Sequence, residues 1–185
     1  MVELSSIWLP ILLSAVFVFI ASSILHMMIP IHSKDYSALP GEAEILATMG
    51  KQEITPGLYR FPFCASMKEM GNPDHMEKVN RGPNGMLTIT PDGPMAMGKY
   101  LLHWFAFSLL ITLFVGYLSS MALAAEATSR EVFRFTGTAA TLGFAVPVLC
   151  DSIWKAVPWP VTLRFFFDGA VYSLVTGATF AWLWT

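Results

Sequence analysis

Charge is what this chain has least of. Only 13% of its 185 residues are Asp, Glu, Lys or Arg, about half the share usual in soluble domains. Together with a mean hydropathy of +0.56, that excludes an ordinary water-soluble domain and makes lipid the expected solvent. Cysteine is nearly as scarce. Cys64 sits in a polar stretch and Cys150 in an apolar one, with no Cys-x-x-Cys or Cys/His spacing, so neither a disulfide framework nor a thiolate zinc site is indicated. The formal net charge is -2; without a clustered basic surface, no nucleic-acid partner is expected. Motifs for nucleotide binding, serine hydrolysis and zinc proteolysis are missing, and so are internal repeats and low-complexity tracts.

What the chain does have is long apolar runs, the first two of them uncharged. No Asp, Glu, Lys or Arg occurs from Leu4 to Ser33, and the core from Ile7 to Ile29 has about the 20 residues needed to cross hydrocarbon. Its start, Met-Val-Glu-Leu, lacks the basic segment of a cleaved signal peptide, so an uncleaved helix is expected. A second uncharged run covers Tyr100 to Ala125. Ser108, Thr112, Gly116 and Ser120 recur there every four residues, forming a small-residue face that lets another helix approach closely. The third run, Phe135 to Ala156, carries Ala139, Gly143, Pro147 and Asp151 on one face, and Pro147 should kink it near residue 143. The fourth, Val161 to Trp184, carries a seam of Gly169, Ser173, Gly177 and Ala181 beside a more polar stripe of Asp168, Tyr172, Thr176 and Thr179.

Between the first and second runs the composition changes, with seven of the eleven Lys and Arg residues between Lys34 and Lys99. Acids at Glu42 and Glu44 lead into a short helix over 45–50. A second is signalled by Asn72 as N-cap, Pro73 at the first position and Gly82 after Arg81. Asn84-Gly85 and Pro91-Asp92-Gly93 bracket a short strand at 86–90. The expected fold is therefore an all-α integral membrane protein: transmembrane helix 1 within 1–33, a small extramembrane cap over 34–98, and transmembrane helices 2–4 within 99–185. Basic residues favour a cytoplasmic cap in the cell or inner membrane, with both termini extracytoplasmic.

Ionisable residues inside spans mark functional sites because lipid does not solvate them. His26, His103, Asp151 and Asp168 fall at similar depth on four different helices, so they are the candidate metal ligands, and His26 with His103 are candidate axial ligands for a haem. A local alternative pairs each acid with a base one turn away, Asp151 with Lys155 and Arg164 with Asp168. His32 and His75 read as solvent-exposed. With no enzyme signature, the expected function is a non-catalytic subunit or scaffold that self-associates or joins a larger membrane complex. Its helix-packing residues would be Ser108, Thr112, Gly116, Ala139, Gly143, Gly169, Ser173 and Gly177. The alternatives are a metal- or haem-binding redox protein and a proton-coupled or small-solute carrier.

Overall fold

The structure is a computed structural model that describes residues 2–184. It is mostly helical, with a single small two-stranded sheet among the described residues. By contact the chain divides into two units, one made of the residues up to Tyr36 together with those from Ala96 onward, the other of Ser37–Met95.

The first unit holds the long helices. After a 3-10 turn at Leu4–Ile7, α1 runs from Trp8 to Met27. A short 3-10 turn, Pro30–His32, then folds the chain back. The next long helix in this unit, α5, spans Met97–Ala122. Its successor α6 spans Ser129–Phe144 and begins with a complete capping box: Thr128 accepts from the Glu131 backbone N–H, and Glu131 accepts from the Thr128 backbone N–H. This Thr-x-x-Glu signature starts the helix six residues before the apolar run at Phe135. At Pro147 the helix breaks into a 3-10 turn, Val146–Val148, because proline donates no hydrogen bond and crowds the preceding turn. It resumes as α7, Leu149–Lys155, and after the Pro158 turn α8 runs from Trp159 to Leu183.

Among the described residues, three stretches are long and apolar enough to cross a membrane: Leu4–Met27, Met97–Ala122 and Ser129–Lys155. These are consistent with a membrane protein. The fourth expected span corresponds to α8, which is not among the three and carries Arg164, Asp168 and several hydroxyl residues.

Small residues set how closely these helices pack. α1 lies against α5 and α8, and α6 lies against α5 and most extensively α8. A Cβ added at Gly169 would fall 2.5 Å from the Phe144 carbonyl oxygen, and one at Gly177 3.2 Å from Gly137 Cα, so α8 meets α6 nearly backbone to backbone. Gly116 receives Ile11 of α1, and Gly143 receives Ile111 of α5. Ser108, Thr112, Gly116 and Ser120 are all buried. On α6 the buried face is Val132, Thr136, Ala140 and Phe144, one residue round from the expected Ala139–Gly143 face, both of which are only half-buried. The shift places Gly137, unremarked in the sequence, against Gly177.

The second unit contains α2 (Glu42–Lys51), β1 (Gly57–Phe61), α3 (Met67–Met70), α4 (Pro73–Arg81) and β2 (Gly85–Ile89). α4 starts as its sequence indicates, with the Asn72 side chain accepting from the Asp74 N–H and Pro73 at the first position. The strands pair antiparallel from Gly57↔Ile89 to Phe61↔Gly85. Gly85 leaves room for the Phe61 ring, whose tip lies 2.7 Å from where a Cβ would be. β1 was not visible as a strand because Gly57-Leu58-Tyr59-Arg60-Phe61 has no polar–apolar alternation, and every one of its residues is exposed.

Candidate functional site

One cluster gathers five ionisable side chains within the first unit. His26 comes from the last turn of α1, His32 and Asp35 from the chain that folds back after it, and Arg164 and Asp168 from successive turns of α8. The backbone makes this possible by a sharp reversal: Ser33 and Asp35 N–H groups donate to the carbonyls of Pro30 and His32. His32 is thereby placed between two carboxylates, with Nδ1 2.6 Å from Asp35 Oδ2 and Nε2 2.8 Å from Asp168 Oδ2. The Arg164 Nε–H donates to the other Asp35 oxygen at 2.6 Å. His26 lies over His32, ring centroids 4.5 Å apart and nearly parallel. Its Nδ1 faces the Ser22 carbonyl at 3.0 Å, which leaves Nε2 facing Asp168 Oδ2 at 3.7 Å. Phe165 closes one side, 4.8 Å from the His32 ring.

Burial divides the cluster. The side chains of Asp35 and Asp168 are 2% and 1% exposed, that of His32 13%, and that of His26 42%. Tyr172, one turn beyond Asp168, belongs to an aromatic group with Trp104 and Phe144, so an apolar floor lies next to the acid. Burial by itself pushes the Asp35 carboxyl up, but the hydrogen bonds from His32 and Arg164 and the nearby guanidinium charge outweigh it and hold the group below the usual carboxylate range. Asp168 has no such permanent cation. One of its oxygens, Oδ1, is buried without a hydrogen-bond partner, an arrangement that is costly for a carboxylate unless something else compensates it.

Of the four residues expected to share a layer, the structure brings together His26 and Asp168, linked by His32. The expectation that His32 is exposed is therefore corrected: the turn at Pro30 carries its ring inward between two acids. His103 is exposed on α5 and takes part in no hydrogen bond or ion pair among the described residues. Asp151 pairs with Lys155 at 2.6 Å, their side chains 43% and 62% exposed, and lines a cleft with Asp35, Tyr36 and Phe165. The expected Arg164–Asp168 pair is replaced. Arg164 reaches Asp35 and Asp168 takes His32, because the folded-back segment supplies partners that helix spacing along α8 does not reveal. His32-x-x-Asp35 was the available signal, three residues apart immediately after an apolar run.

Most interior hydroxyls are occupied locally; Ser14 Oγ on α1 is buried without a partner among the described residues. Ser108, Thr112, Ser119, Thr136, Ser173, Thr176 and Thr179 each donate to a carbonyl three or four residues earlier in their own helix. Their protons are thus committed to backbone, leaving small, nearly apolar packing surfaces.

The second unit presents a different feature. None of its residues is buried, and Leu46, Leu58, Phe63, Met67 and Met95 are each at least half exposed. The unit therefore has no buried core of its own among the described residues.

No protein-family model, curated protein or solved structure matches this chain.

Proposed function

We propose that this is a four-span integral membrane protein acting as a non-catalytic subunit of a membrane assembly, formed with copies of itself or with a larger complex. The observation that carries this reading is the coreless 37–95 unit. Its Leu, Phe and Met side chains supply adaptable apolar contact surface of the kind found at protein interfaces, where Met and aromatic residues are enriched. The Gly- and Ser-lined seams of α5 and α8 support close helix packing in lipid, in keeping with α8 as a fourth span whose charges sit near one end. With the cap on the basic side, the termini are extracytoplasmic in the cell or inner membrane. The hydroxyls of α5, α6 and α8 that are committed to backbone carbonyls favour packing over proton or solute passage.

The test is site-specific photo-crosslinking in the native membrane, with the reactive group placed at Phe63 or Leu58 and, as a control, at exposed Lys51. Phe63 and Leu58 should each give a discrete adduct, either twice the chain mass or the chain plus one partner. Diffuse labelling equal to that at Lys51 would sink the reading.

A further inference from the structure

We propose that His26, His32 and Asp168 bind a divalent first-row transition-metal ion, with Asp35 and Arg164 as the positioning pair behind His32. Three observations converge. The first is a proton deficit. Both ring nitrogens of His32 lie within hydrogen-bond distance of a carboxylate oxygen, yet a neutral imidazole carries one N–H. With that proton on Nδ1, donated to Asp35, the Nε2 lone pair faces the Asp168 carboxylate. A cation shared by Nε2 and Asp168, a metal ion or a second proton, fits between them, and the next two observations favour the metal.

The second is the orientation of both imidazoles. A ligating histidine ordinarily donates its other ring N–H to a carboxylate or backbone carbonyl, which fixes its tautomer. His32 has Asp35 for this, itself held by Arg164, and His26 has the Ser22 carbonyl. Both Nε2 atoms consequently face Asp168. The third is Asp168 itself, a carboxylate only 1% exposed and without a Lys or Arg partner among the described residues, whose Oδ2 faces both Nε2 atoms.

Taking up the ion needs two small movements: His26 Nε2, 3.7 Å from Asp168 Oδ2, moves in, and His32 Nε2, 2.8 Å from the same oxygen, moves out. One ligand atom from each of His26, His32 and Asp168 lies within 4.8 Å of the other two; a tetrahedral centre with bonds of about 2.0–2.1 Å needs separations of roughly 3.3 Å. His26 is the most exposed ligand and its side chain closes the gap by rotation, while its open side admits the ion. Two imidazoles and a carboxylate suit zinc and iron(II) and leave a coordination position free. Arg164 neutralises Asp35, so the charge left for the ion to meet is that of Asp168.

The experiment is a titration of the full chain, purified in mild detergent and stripped with chelator, with Co2+ followed by its visible absorption and then displaced by Zn2+. Wild type should develop a band saturating at one equivalent and lose it to Zn2+. His26→Ala, at an exposed position where folding is tolerant, and His32→Gln should lose stoichiometric binding. Asp35→Asn, which keeps the shape and an acceptor oxygen, should bind about 10–100-fold more weakly, and His103→Ala should bind as wild type does. Absence of a saturable band in wild type, or unchanged binding in both His26→Ala and His32→Gln, would overturn the site; His32 would then be an imidazolium bridging two acids. Equal loss in His103→Ala would also overturn it.

Discussion

Replacing single glycines of α6 and α8 by alanine measures how tightly the helices are locked next to the His/Asp cluster. Each substitution gains the same helix propensity, about 1 kcal/mol, so differences between variants report the space each new methyl meets. At Gly137 the nearest atom is 3.7 Å away, ordinary contact, and the variant should be more stable than wild type by up to about 1 kcal/mol. At Gly143 the methyl would lie 2.9 Å from Ile111 Cγ2; that side chain can rotate aside, and the gain should roughly cancel. Gly169 is different in kind. Its methyl would lie 2.5 Å from the Phe144 oxygen and 2.6 Å from Ala145 Cα, where carbon contacts prefer about 3.5–4.0 Å. Both are backbone atoms, so α8 itself must move by roughly 1 Å. Overpacking of this kind costs about 1–3 kcal/mol, which sets Gly169→Ala below Gly137→Ala by the same amount. At about 2–4 °C per kcal/mol for a chain of this size, thermal unfolding in detergent, followed by tryptophan fluorescence, separates them. Gly169→Ala melting with or above Gly137→Ala would refute the close packing of α8 on the Phe144–Ala145 backbone.

The two ion pairs near the α7–α8 turn should behave unequally. Arg164→Ala leaves Asp35, 2% exposed, without its cation and should cost about 3–5 kcal/mol; Lys155→Ala breaks a pair whose side chains are 62% and 43% exposed, at the end of its helix, and should cost at most about 1 kcal/mol. Chemical denaturation of both variants in one detergent checks the contrast, and equal losses would contradict it. Thr128→Ala removes the α6 cap and should lower stability by about 1 kcal/mol, with Glu131→Ala adding little more because the two residues share the same box; full additivity would show that they act separately.

The sequence made the long helices legible because lipid demands uninterrupted apolar runs, and local chemistry made α4 legible through Asn72, Pro73 and Gly82. The start of α6 was legible in principle from Thr128 and Glu131, but the polarity of 126–134 masked it, since the first turns of that helix carry Arg130 and Arg134. Half of the site followed from asking where charge meets hydrocarbon, which found His26 and Asp168. The other half did not, because His32 and Asp35 lie outside any regular helix, and only the fold-back at Pro30 turns them inward. Helix spacing likewise paired Arg164 with Asp168, a partner within reach on the same helix, when a better placed carboxylate arrives from 129 residues away. The buried face of α6 was misplaced by one residue for a related reason: small residues recur on two adjacent faces, and the position of α8 decides between them.

The central proposal, a subunit whose 37–95 segment docks onto something else, is tested most directly by native mass measurement of the protein extracted gently from its own membrane. The expected result is a discrete species heavier than the 20.4 kDa chain, either an integer multiple of it or the chain with a defined partner, that falls back toward the monomer in the doubly substituted Leu58→Ser, Phe63→Ser variant. A wild-type protein recovered only as a 20.4 kDa monomer would contradict it.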